Sequence, residues 1–152
     1  MARLVSGFRM AALVGALGLS AGAWAGPVEY YPTGAPPSAR PFSEAVRVDD
    51  ILYLSGEIGT TESGALASGG LPGEARQVME NIGAKLRKRG LGFDDVFKCT
   101  VMLADITRWA EFNAVYINYF KPGRLPARSA FGANGLALGA AVELECSAKF
   151  PD

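Results

Sequence analysis

Between residues 74 and 89, apolar side chains fall at Ala75, Val78, Met79, Ile82 and Leu86, and spacings of 3, 1, 3 and 4 gather them on one helix face. Lys85, Arg87, Lys88 and Arg89 crowd the end of this helix and Gly90 can close it. Cations there oppose the helix dipole, so the basic run reads as a solvated terminus rather than a ligand site. Residues 96–104 alternate instead, with Phe97, Cys99, Val101 and Leu103 on one side and Lys98 and Thr100 on the other, the period of a half-covered strand. A second amphipathic helix is expected over residues 107–120, with Thr107 as N-cap and Pro122-Gly123 as the stop. Its face of Trp109, Phe112, Tyr116 and Tyr119 reads as packing. In residues 142–150, Val142, Leu144, Cys146, Ala148 and Phe150 alternate with Glu143, Glu145, Ser147 and Lys149.

Residues 45–48 and 51–54 form a further pair of short apolar runs around Asp49-Asp50, a hairpin pattern, and residues 129–133 supply another strand. Pro27, Pro32, Pro36 and Pro37 make residues 26–40 an extended lead-in. Residues 59–73 are rich in Gly, Ser and Thr but lack the Gly-Lys-Ser/Thr ending of a phosphate loop, and read as a mobile connection beside the site. The order hairpin, helix, strand, helix, strand, strand predicts an α+β layer with two helices on one sheet face. The face left open in so small a domain is expected to be covered by other subunits.

The first 25 residues stand apart. Arg3 and Arg9 precede an uncharged apolar stretch that ends in Ala23-Trp24-Ala25, the order of a secretory signal peptide. Cleavage after Ala25, export to a periplasm and no lasting membrane insertion are the expectation. Residues 41–152 then form one domain behind the lead-in. Without the leader, fifteen basic residues against fifteen acidic become thirteen against fifteen, a net charge of −2. A chain so balanced lacks the basic face of a nucleic-acid binder. Cys99 and Cys146 lie in phase with apolar neighbours and read as two buried thiols, with a disulfide as the alternative in an oxidising compartment. Two cysteines without histidine make a poor zinc site, and no metal is expected.

The chain contains no histidine, the usual acid–base group near neutral pH. Arg128, in Pro126-Ala127-Arg128-Ser129, and Glu143, fifteen residues on, are the natural substitutes: a fixed cation for a small anion and a carboxylate for water.

Five blocks in order resemble the RidA/YjgF reactive-intermediate deaminases. They are Pro41-Phe42-Ser43-Glu44-Ala45-Val46, Leu54-Ser55-Gly56-Glu57-Ile58, Asn113 within Phe112-Asn113-Ala114-Val115-Tyr116, Pro126-Ala127-Arg128-Ser129, and Val142-Glu143-Leu144-Glu145. The resemblance spans residues 39–150. It implies a chorismate-mutase-like α+β fold, a mixed sheet with two helices on one face, a homotrimer with active sites between subunits, and cofactor-free hydrolysis of 2-imino acids. On this likeness Arg128 holds the substrate carboxylate, Glu143 orients or deprotonates water, Ser55 and Gly56 close over the substrate, and Asn113 lines the pocket. Two positions depart from the family pattern: Phe42 stands where a tyrosine is usual, and Ala130 where a cysteine often follows the arginine. Glu145 is read as a solvent or interface charge. A non-catalytic trimeric binder of small carboxylates is the competing expectation. The ribonuclease label also attached to this family fits poorly with the charge, the missing histidine and the leader.

Overall fold

The computed structural model describes residues 26–34, 36 and 39–151. The expected signal peptide, residues 1–25, lies outside them. Among the described residues seven strands form a single sheet: β1 (Glu29–Pro32), β2 (Ser43–Val48), β3 (Ile51–Leu54), β4 (Glu57–Ile58), β5 (Val96–Leu103), β6 (Ala127–Gly132) and β7 (Val142–Lys149). Their order is β1-β2-β3-β7-β5-β6, with β4 paired to β7 beyond β3. Only β5 and β6 run parallel, joined by the crossover helix α2 (Trp109–Tyr116), so the sheet is mixed. The longer helix α1 (Gly70–Arg87) connects β4 to β5. It brings Leu71, Ala75, Val78, Met79, Ile82 and Leu86 into the core, against Leu52, Leu54, Val101, Leu103, Val142 and Leu144 of the strands. Both helices cover the same sheet face, as the residue pattern predicts.

Several elements differ from the sequence-based expectation. Tyr30 and Tyr31 of the proline-rich lead-in pair with Val46 and Ala45, so the segment carries an edge strand, the position where proline is tolerated. Helix α1 begins one turn earlier than periodicity suggests. Pro72 sits in the first turn, where no amide hydrogen is needed, and buried Leu71 anchors it. The second helix is shorter than expected. It opens on a 3-10 turn, Ile106–Arg108, capped by Asp105 rather than Thr107, and ends in another, Ile117–Tyr119. Phe97 is exposed because an irregularity between Val96 and Lys98 turns it outward, and Val96 takes its place in the core. Trp109 is exposed as well, leaving Phe112 and Tyr116 as the buried pair of α2.

Cys99 and Cys146 are not free thiols but a disulfide. They are direct partners across β5 and β7, with Cα atoms 4.1 Å apart. That cross-strand closeness is a matter of register, which alternation alone does not reveal.

The basic end of α1 is also less solvated than expected. Arg89 donates to Glu44 at 2.8 Å with its side chain 9% exposed, and Lys85 pairs with Glu57. These ion pairs tie the helix end to β2 and β4, because both strands present a glutamate to it. Among the described residues no helix is long and apolar enough to cross a membrane.

Candidate active site

Glu143 is the second residue of β7, between Ile58 of β4 and Met102 of β5. Its neighbours Val142 and Leu144 are fully buried under the helices, so strand alternation turns Glu143 to the open face. The chain just before it is pinned from below, since Glu74 of α1, itself buried, accepts the amide hydrogen of Ala141 at 2.7 Å. Gly56 lies directly against the carboxylate, and a Cβ there would fall 2.0 Å from Glu143 Oε1. Both residues line a hollow of about 600 Å³ with Phe42, Glu44, Glu57 and Leu138. Ser55 fixes this wall rather than facing the hollow: its hydroxyl donates to Ser43 O at 2.7 Å and its amide to Glu44 O at 3.1 Å. Phe42, immediately before Ser43, stands 54% exposed at the rim.

Beneath that hollow, Asn81 donates to Glu57 Oε1 at 3.1 Å and Thr60 O at 2.9 Å, bracing the loop after β4. Burial pushes the Glu44 carboxyl up, but the Arg89 hydrogen bond and the charges of Lys85, Lys88 and Arg89 outweigh it and hold the group below its ordinary range. The wall around Glu143 is therefore built from acids already matched by cations.

Arg128 is the second residue of β6 and lies beside Cys99 of β5. Cys99 faces the helices, and so does Arg128. Its guanidinium sits 4.8 Å from the Tyr116 ring centre and 6.0 Å from that of Phe112. This aromatic shelf, attractive to a cation, borders a hollow of about 290 Å³ that Asn113, Tyr116, Leu125 and Pro126 also line. Among the described residues no carboxylate pairs with Arg128. Asn113 Oδ1 and the Tyr116 hydroxyl are buried beside it without hydrogen-bond partners. Burial raises the Tyr116 pKa to about 12, with Arg128 opposing only in part, so the hydroxyl keeps its proton. The guanidinium and the phenol hydroxyl are thus donors without a protein acceptor among the described residues, a pair suited to a small carboxylate, whereas Asn113 Oδ1 beside them can only accept, as from a substrate N–H. Ala130, two residues on, borders the other side of Arg128 with Ile106 and Trp109.

The candidate residues of one protomer therefore fall in two separate hollows. Phe42, Gly56 and Glu143 share one hollow, and Asn113 and Arg128 share another. β5 separates the strands of Arg128 and Glu143, and their register partners Cys99 and Met102 lie three residues apart on it. The two Cα atoms are thus about 14 Å apart from strand geometry, with side chains on opposite faces of the sheet. A single copy cannot bring the pair together.

Sequence reasoning missed Tyr116, whose helical spacing identified it only as packing. It also missed Glu74 and Leu138. Glu74 was visible as a lone acid at the start of an apolar helix face, whereas Leu138 carried no signal in the pattern.

The sequence model of the family described as Endoribonuclease L-PSP matches residues 33–150. The chain is 42% identical over 117 residues to 2-iminobutanoate/2-iminopropanoate deaminase of Mus musculus, covering 76% of this chain and 86% of the relative. It is 43% identical over 115 residues to the Homo sapiens protein of the same name, covering 75% and 83%. Among solved structures, yeast YEO7 superposes with a TM-score of 0.74 at 35% identity, over 82% of this chain and all of that one. RidA from the Antarctic bacterium Psychrobacter sp. PAMC 21119 superposes with a TM-score of 0.69 at 33% identity, over 76% of this chain and 94% of that one.

Proposed function

The chain belongs to the Endoribonuclease L-PSP family, which is the RidA/YjgF family, and from that membership we propose that it hydrolyses reactive 2-imino and enamine acids to 2-oxo acids and ammonia. The observation that carries this reading is the Arg128 guanidinium on its aromatic shelf, without an acidic partner among the described residues and beside the unpartnered Tyr116 hydroxyl. There it receives the substrate carboxylate as a two-pronged ion pair. Glu143 supplies the other half from the hollow of a neighbouring copy. Its carboxylate takes a proton as water adds to C2 of the protonated imine, then returns that proton to nitrogen. The C–N bond breaks and ammonia leaves as the carbinol hydroxyl gives its proton to the Glu143 carboxylate, so the carbonyl of the 2-oxo acid remains and the proton passes on to ammonia. The substrate is already electrophilic, so positioning and one activated water suffice, and the reading assigns no cofactor.

The opposed half-sites support a homotrimer in which the Arg128 edge of one subunit meets the Glu143 face of the next. The leader pattern and the Cys99–Cys146 disulfide support an exported, periplasmic location. The test is release of ammonia or 2-oxo acid, above spontaneous hydrolysis, from imines generated by an amino-acid oxidase. Arg128→Ala is expected to lower kcat/KM at least tenfold, as loss of a charge-assisted interaction of about 1.5–3 kcal/mol implies. Equal rates for wild type and this variant would end the proposal. A second reading, a small-carboxylate binder without turnover, is favoured by the Arg128 hollow having its polar groups in place without Glu143. On that reading Glu143→Gln leaves affinity for a 2-oxo acid intact and wild type shows no turnover.

A further inference from the structure

The hairpin between β2 and β3 turns at Asp49, held at φ 53°, left-handed backbone that Gly, Asn and Asp tolerate best. Glycine or asparagine would shape this turn as well; what the aspartate adds is a charge. The other carboxylates at this corner are matched, Asp50 by Lys149 at 3.2 Å and Glu29 by Arg47 at 3.8 Å. Arg47 also donates from Nε to the Asp49 carbonyl at 2.7 Å and lies 4.2 Å from the centre of the Phe150 ring. Among the described residues no lysine or arginine pairs with the Asp49 carboxylate. Its Oδ1 accepts instead from the nitrogen of Gly26, at 2.8 Å. Gly26 is the residue that cleavage after Ala25 makes the first of the mature chain.

We propose that the Asp49 carboxylate is the docking site of the chain's own new amino terminus, which fastens β1 to the sheet once the leader is gone. A leader-removing peptidase adds water across the Ala25–Gly26 bond. The leader keeps the carboxylate, and Gly26 keeps an amine that is protonated below about pH 8. A neutral amide hydrogen bond thereby becomes an ion pair at the same place. The amine arrives with little freedom left to lose. Pro27 and Val28 alone separate it from the first strand pair, Glu29 with Arg47, and the proline ring fixes its own φ. The strand so fastened carries Tyr31, whose ring centre lies 4.4 Å from the Arg89 guanidinium, and leads to Thr33, Ala39 and Arg40 on the wall of the Glu143 hollow. The inference rests on the leader reading and stands apart from imine hydrolysis.

The full chain is expressed in an exporting bacterium, and the mass of the purified protein fixes its first residue. The Gly26 α-amino pKa is then followed by NMR in wild type and Asp49→Asn, and hydrogen exchange across β1 is compared at a pH where the amine is charged. Asparagine tolerates the same backbone and keeps the turn. Glu29, Arg47, Asp50 and Lys149 stand at the same corner in both proteins, so the difference isolates Asp49. The expected mass is that of a chain starting at Gly26. Its amine is expected to titrate about half a unit higher in wild type than in Asp49→Asn. The β1 amides are expected to exchange about two- to fivefold faster in Asp49→Asn, and in wild type acetylated at Gly26, whose N–H remains without the charge. Equal pKa values, or equal exchange in all three proteins, overturn the proposal and leave the leader reading intact. A chain that starts elsewhere overturns both.

Discussion

Gly56 and Glu143 are packed so closely that the glycine is part of how the carboxylate is aimed. A methyl group at position 56 would lie 2.0 Å from Glu143 Oε1, and the side chain, the more flexible partner, has to swing away. Gly56→Ala is therefore expected to lower kcat about tenfold or more, since a misplaced general base forfeits much of its contribution. Its melting temperature should stay within about 4 °C of wild type. A large drop in Tm would show that the glycine serves the fold instead. Tyr116 gives the opposite test. Its buried hydroxyl has no partner among the described residues, so Tyr116→Phe removes an unsatisfied group and should leave stability equal or higher. The same change should raise KM severalfold, because the phenol no longer meets the substrate. Steady-state kinetics with thermal melts check both variants. At this scale Arg128 and Glu143 stood out because each sits in a short motif with a chemical reason for it, and the structure sets each in a hollow of its own. Tyr116 was not, since an aromatic at helical spacing looks the same whether it only packs or also presents its hydroxyl.

Among the elements, hydrophobic periodicity located both helices and the long strands, because burial under the helices enforces it. It failed where geometry depends on pairing. The irregularity that turns Phe97 outward, the two-residue strand β4 and the cystine between β5 and β7 all follow from register. The cystine spans 47 residues, and chain-entropy arguments give such a crosslink about 4 kcal/mol as an upper figure. Cys99→Ala with Cys146→Ala should therefore cost about 2–4 kcal/mol in denaturant unfolding, and an unchanged midpoint would contradict the crosslink. The Glu44–Arg89 tie between β2 and the end of α1 makes a prediction in pH. With its native pKa depressed, Glu44 contributes stability that is present above its unfolded value and lost as pH falls through the native one. Melts taken from pH 6 down to 3 should decline more steeply for wild type than for Glu44→Gln.

For the whole molecule, the fold class came from element order, and the expectation of covered surface came from an open sheet face that is only partly polar. Tyr53, Phe97 and Phe131 are exposed large side chains, and Glu145 lines a hollow there with Tyr53 and Phe97. What the chain pattern could not disclose is that Arg128 and Glu143 lie on opposite sides of the sheet, because that follows from the pairing of three strands. The placement has a consequence for mixtures of damaged proteins. On the proposed trimer, Arg128→Ala and Glu143→Gln chains, each impaired alone, carry intact complementary halves. Denatured together and refolded in equal amounts, they would rebuild undamaged seams wherever the surviving arginine of one chain meets the surviving glutamate of the other. Random mixing in a ring returns about a quarter of the original rate, rescue that no protein working as separate single chains could achieve.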